Sequence, residues 1–206
     1  MRCGKRCAAA LLTTLLLIGV GIFMSAQDDP NIPDISSIVK ITHKAGSMDG
    51  LETRSKKMDE PDMILEVRSE PGLGCTEEMV ISGAQLLALP QHTFDTHHTW
   101  SKEGKTDTFS GPMLKDVLDL ACPGDKKPSK LHMRAMDGYA IDVVVKPALN
   151  FKPTLALSMN GERMKIRNMG HIWLMAPLDE FKNLPERSLD ELLIWQLYHI
   201  TITATE

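Results

Sequence analysis

Histidine dominates the residues able to do chemistry. His92, His97 and His98 crowd one polar stretch, Gln91 to Trp100, where imidazole suits metal ligation or proton transfer. On an extended strand successive side chains leave opposite faces, so His97 and His98 cannot both reach one ion. Only one of them can share a cleft with His171 or Met169, and a metal site needs several converging ligands. The histidines therefore read as solvated or hydrogen-bonded strand residues, and no metal site is expected. The thirteen methionines are scattered rather than clustered, which fits gap-filling in a core better than copper binding. Asp137 and Tyr139 are titratable neighbours, but Asp137 opens an Asp-Gly turn, where its side chain supports the backbone. A Gly-x-Ser-x-Gly frame, a Cys-x-x-Cys pair, a phosphate-cradling glycine loop and a His-x-x-x-His pair are all absent. No catalytic residue is assigned.

A second set of residues suits recognition. Trp100, Tyr139, Arg167 and Trp173 would line a pocket for a flat organic ligand, with Arg167 meeting an anion. The competing reading puts both tryptophans and the tyrosine ring in the core and Arg167 on the surface. The residues alone leave the two open.

Several elements must position these groups. Met63 to Val67 predicts a strand with Leu65 and Val67 on one face and Glu66 on the other. Ser82 to Leu89 predicts a short helix stopped by Pro90, followed by the polar strand from Gln91 to Trp100. Ser101 to Thr108 reads as a charged turn. Pro112 sits where a first helical residue belongs, and Met113, Val117, Leu118 and Ala121 follow at helical spacing. Beyond Lys130 the period changes to two. Leu131, Met133 and Ala135 alternate with His132 and Arg134, and Asp137-Gly138 signals a hairpin whose far side carries Ile141, Val143 and Val145. Asn160-Gly161 signals a second hairpin, joining Thr154–Met159 to Arg163–Ile166. His171 to Met175 reads as a buried strand, Leu189 to Leu193 as a helical turn and Trp195 to Thr203 as a closing strand. Many strands with a few short helices predict an α+β fold with mixed and antiparallel sheets.

The chain ends give a cellular context. Arg2, Lys5 and Arg6, an apolar run from Ala8 to Phe23, and Met24-Ser25-Ala26 predict a cleavable signal peptide over residues 1–26. The run is short for a membrane span, so an uncleaved anchor is the lesser reading. A bacterial periplasmic location is expected. Residues 27–60 are polar and punctuated by Pro30 and Pro33, and read as a linker or an edge element. Residues 61–206 form the predicted domain. The net charge of −4 and the lack of a basic cluster with interleaved aromatics argue against a nucleic-acid partner. Once Cys3 and Cys7 leave with the signal, Cys75 and Cys122 remain, and an oxidising compartment permits but does not dictate their bonding.

The order of the blocks over Phe109 to Pro177 resembles the molybdopterin-binding domain of the sulfite-oxidase family. The likeness runs through Leu89-Pro90, Phe109-Ser-Gly-Pro-Met-Leu-Lys-Asp-Val-Leu118, Asp137-Gly138-Tyr139 and Met159-Asn160-Gly161-Glu162, and spans about Met63 to Thr203. It is similar to the short exported members that consist of this domain alone. The resemblance implies a cleft near Thr99, Trp100, Tyr139, Asn160, Arg167, Gly170 and His171. In active relatives a cysteine after the Leu-Pro strand ligates molybdenum, because a soft sulfur donor suits that metal. Here the region reads Thr93-Phe-Asp-Thr-His-His-Thr-Trp100. A His-Gly and a Pro-x-Arg that hold the pterin's phosphate end in relatives are replaced by Met169-Gly170-His171-Ile172-Trp173-Leu174. Lys5-Arg6 stands where cofactor-loaded relatives carry a twin arginine. These departures predict an exported sulfite-oxidase-like domain without its molybdenum ligand, acting as a cofactor-free module for a small ligand or for a periplasmic or membrane protein partner. The alternative is an atypical molybdopterin-dependent oxidoreductase without a cysteine ligand, with Thr99 or His98 near the metal.

Overall fold

The computed structural model describes residues 35–44, 64–99, 101–124, 128–166, 169–181, 184 and 189–204. The predicted signal peptide lies outside them. Among the described residues, twelve strands and three short α-helices make an α+β fold of one six-stranded, one four-stranded and one two-stranded sheet.

The largest sheet holds β1 (Val39–His43), β7 (Ala140–Val144), β6 (Lys130–Ala135), β12 (Leu197–Thr203), β2 (Ile64–Ser69) and β3 (Glu78–Ser82), in that order. β12 runs parallel to β2 and the remaining pairs are antiparallel. Alternation decides its two faces. Leu65, Val67, Leu131, Met133, Ile141, Val143, Ile200 and Ile202 are buried on one side, and alternation sends Glu66, Arg68, Lys130, His132, Arg134, Asp142 and Thr201 to the other. The Asp137-Gly138 turn joins β6 to β7, as its residues predict, with Gly138 at φ 88°.

β1 lies within residues 27–60, the segment read as a linker or an edge element. Val39↔Val143 and Ile41↔Ile141 make it the outer strand of the sheet, and Ile35, Ile38 and Val39 are buried. Val39–His43 is an edge strand, and the buried core includes Ile35. Residues 27–34 and 45–60 lie outside the described set.

Helix α1 (Gly83–Ala88) follows β3 without a loop. Ser82 caps it: its Oγ accepts from Gln85 N, and Gln85 Oε1 accepts from Ser82 N at 2.9 Å, a capping box. Helix α2 (Leu114–Ala121) buries Leu114, Val117, Leu118 and Ala121 against the large sheet. It starts two residues later than Pro112 suggests, because Pro112 closes strand β5 (Asp107–Pro112). The charged turn expected through Thr108 correspondingly ends at Thr106. Helix α3 (Val145–Ala148) is a single turn after β7.

β5 is the centre of a second layer. It pairs with β4 (Gln91–Thr96) along six residue pairs, from Gln91↔Pro112 to Thr96↔Asp107. On its other side lies β9 (Ser158–Met159), paired in turn with β10 (Glu162–Arg163). The two-stranded sheet, β8 (Thr154–Ala156) with β11 (Trp173–Met175), backs onto this layer. Gly111 allows that packing: a Cβ there would lie 2.0 Å from the Leu155 carbonyl oxygen. The polar strand expected through Trp100 stops at Thr96, and the closing strand expected from Trp195 starts at Leu197. Cys75 and Cys122 form a disulfide, tying the β2–β3 loop to the end of α2, where Thr76 N also donates to Ala121 O.

Candidate functional site

The β4–β5 hairpin and the Asn160-Gly161 turn build a polar network beneath an aromatic box. Thr96↔Asp107 is the last pair of the hairpin, so the chain past Thr96 turns back over Asp107. His98 Nε2 donates to Asp107 Oδ2 at 3.0 Å, and Ser101 Oγ donates to the same oxygen at 3.1 Å. Asn160 Nδ2 donates to Asp107 Oδ1 at 2.7 Å, while Asn160 Oδ1 accepts from Thr108 N at 2.9 Å. Asn160 can do both because the hairpin holds it at φ 54° with Gly161 at φ 80°, the left-handed pair of a tight turn.

The His98 ring sits edge-on to Phe109 at 5.5 Å and to Trp173 at 5.2 Å, and these two rings meet each other at 5.4 Å. Only 4% of the His98 side chain is exposed. Burial lowers the His98 pKa below 6.5, outweighing the Asp107 hydrogen bond and charge that pull it upward. The imidazole is neutral at pH 7. The Asn160 amide, ahead of Ser101 and His98, holds the Asp107 carboxyl below the usual aspartate range. Asp107 is thus an ionised acceptor.

The two adjacent histidines diverge, although the strand ends before them at Thr96. His97 is exposed, and its backbone N and Nδ1 both donate to Asp179 Oδ2, at 2.9 and 2.8 Å. His92 Nδ1 meets Thr154 Oγ1 at 2.9 Å, and burial lowers its pKa. Among the described residues, no three His, Cys, Asp or Glu side chains converge as a metal-binding group.

The predicted cleft residues fall into three places. Asn160 joins the His98 network. Thr99 and Tyr139 meet one turn near the C-terminus: Thr99 Oγ1 donates to Asp190 Oδ2 at 2.9 Å, and Tyr139 Oη donates to Glu191 O at 3.1 Å. Burial, with Glu191 and Asp137 adding to it, pushes the Tyr139 hydroxyl up to about 12. Gly170 and His171 are buried in the segment before β11, where a Cβ on Gly170 would lie 2.6 Å from Met164 Cβ. Trp100 and Arg167 lie outside the described residues. Trp173 is 1% exposed and belongs to the core reading of its ring. Asp137 is the turn residue it was expected to be, with Oδ1 accepting from Tyr139 N; its Oδ2 also accepts from Trp195 Nε1 at 2.8 Å. That bond leaves Trp195 half-buried ahead of the closing strand. Asp107 and Ser101 escaped sequence reasoning, since only the hairpin register brings Asp107 under His98.

Similarity to known proteins is slight. No family model matches the chain, and no curated protein matches it. Among solved structures, the sulfane dehydrogenase SoxCD from Paracoccus pantotrophus is similar at 15% identity and a TM-score of 0.49. The match covers 69% of this chain and 38% of that one.

The molybdenum-held pterin that the sequence resemblance implies can be tested against the donors present. The soft donor such a metal prefers is missing from Thr93–Thr99, which offers hydroxyl, imidazole and carboxylate groups. Cys75 and Cys122 spend their sulfurs on each other. The Nε2 of His98 is committed to Asp107. This donor set does not fit the group.

Proposed function

We propose that this chain is a cofactor-free binding module of the periplasm, built on a sulfite-oxidase-like domain, which takes a small ligand or a periplasmic or membrane protein partner. One observation carries the reading. The Cys75–Cys122 disulfide removes both thiols that follow the predicted signal peptide. A protein that keeps such a bond belongs to an oxidising compartment. The same bond leaves the domain without a thiolate for a metal. Around the expected cleft, Thr99, Tyr139, Asn160 and His98 are hydrogen-bonded to the protein itself, which supports a structural use of those residues.

The test is elemental analysis with pterin fluorescence on protein purified from its native compartment under its own signal. Neither molybdenum nor pterin is expected. Stoichiometric molybdenum with pterin would overturn the reading in favour of an oxidoreductase that holds its metal without cysteine.

A further inference from the structure

Charge collects on the outer face of the six-stranded sheet. Register lines up Lys40, Asp142, His132, Thr201, Arg68 and Glu78 in one row across all six strands. The next row holds Lys130 beside Thr203, and Glu70 follows directly on β2, its N donating to Ile202 O at 3.0 Å. Between the rows lies a cleft of about 440 Å³ lined by Glu70, Lys130, His132, Asp142 and Thr203. That volume falls in the range of small-molecule sites.

The cleft's charges are ordered. Its two carboxylates belong to residues on β7 and at the end of β2, strands three spacings or about 14 Å apart. Lys130, His132 and Thr203 lie between them on β6 and β12. Both ends are held. His132 Nδ1 donates to Asp142 Oδ1 at 2.7 Å, which directs the imidazole's other nitrogen away from the aspartate. Glu70 Oε2 accepts from Ala204 N at 2.9 Å, which fixes that carboxylate at the rim. A simple anion would meet both carboxylates, and a simple cation would meet the Lys130 ammonium. A molecule carrying both signs satisfies the arrangement.

We propose that this cleft binds a small zwitterion with a free ammonium and a free carboxylate, of the α-amino-acid type. The ligand carboxylate accepts from Lys130 Nζ and the Thr203 hydroxyl, and the ligand ammonium donates to Glu70. The ligand side chain extends toward the His132–Asp142 pair. This gives the binding-module reading a ligand class and rests on it. The cleft shares no residue with the His98 network, and its test reads binding rather than metal content, so the two fail separately.

The experiment is calorimetric titration of the purified protein with each proteinogenic L-α-amino acid. At least one is expected to bind with Kd below about 1 mM, the weak end of specific affinity. Its N-acetyl and carboxamide derivatives are expected not to bind. Lys130→Met and Glu70→Gln should each weaken binding about tenfold or more, the scale of one charge-assisted hydrogen bond. Glutamine keeps an acceptor for Ala204 N, so the second variant reads charge alone, and unchanged circular dichroism establishes that both variants fold. Binding by no amino acid, equal binding of the N-acetyl derivative, or undiminished binding in both variants would each overturn the proposal.

Discussion

Two histidine–aspartate pairs in this protein have similar geometry and opposite surroundings. His98 meets Asp107 at 3.0 Å and His132 meets Asp142 at 2.7 Å. The first pair is roofed by Phe109 and Trp173, and its aspartate also accepts from Ser101 and Asn160. The second lies on a sheet face, with the His132 side chain 31% exposed and Asp142 40% exposed. A buried polar group must be satisfied by the protein, because leaving it unpaired costs more than any single bond contributes. The first pair is therefore architecture, joining a hairpin, a turn and an aromatic box. A half-exposed pair loses little when its partners change, and it can turn toward a ligand.

That contrast can be broken most forcefully at the aromatic box. Trp173 is among the largest fully buried side chains, so Trp173→Ala should destabilise the fold by about 3–5 kcal/mol in chemical denaturation. A loss below about 1 kcal/mol, the range of surface substitutions, would mean that the box does not hold the His98 pair in place.

A matched pair of substitutions tests the contrast itself. Asp107→Ala removes the acceptor of a buried imidazole N–H and of Asn160, and should cost about 1–3 kcal/mol. Asp142→Ala should stay within about 0.5 kcal/mol, as exposed ion pairs contribute little. Equal losses would erase the distinction between the two pairs.

How much of this was legible in the sequence depended on how local each signal was. Leu131, Met133 and Ala135 announced β6 because alternation needs no partner to be seen. Asp137-Gly138 and Asn160-Gly161 announced their turns because left-handed backbone favours those residues. The disulfide could not be decided, since only the fold brings Cys75 to the end of α2. For β1 the segment left a linker and an edge element open, because its pairing with β7 crosses about a hundred residues of chain. Pro112 carried two meanings at once: it suits a helix start and also the last residue of a strand. Gly111 beside it has no side chain, which is what the close approach to Leu155 requires. The candidate site was the least legible part. His98 was visible as a residue, but its partner Asp107 became adjacent only through the β4–β5 register, and its aromatic roof draws Trp173 from a strand of another sheet.

The smallest predicted effect tests the buried pair by pH. The folded pKa of His98 lies below its usual 6.5 because burial disfavours the charged ring. Between those two values the unfolded chain binds a proton that the folded protein refuses, so stability rises with pH through that window. The contribution is complete above 6.5 and is lost as pH falls toward the folded value. Denaturation midpoints measured on either side of 6.5 should therefore drop on the acid side, and His98→Asn should flatten that slope. A slope that survived the loss of His98 would place its source outside the aromatic box and remove the pH argument that the buried pair is architecture.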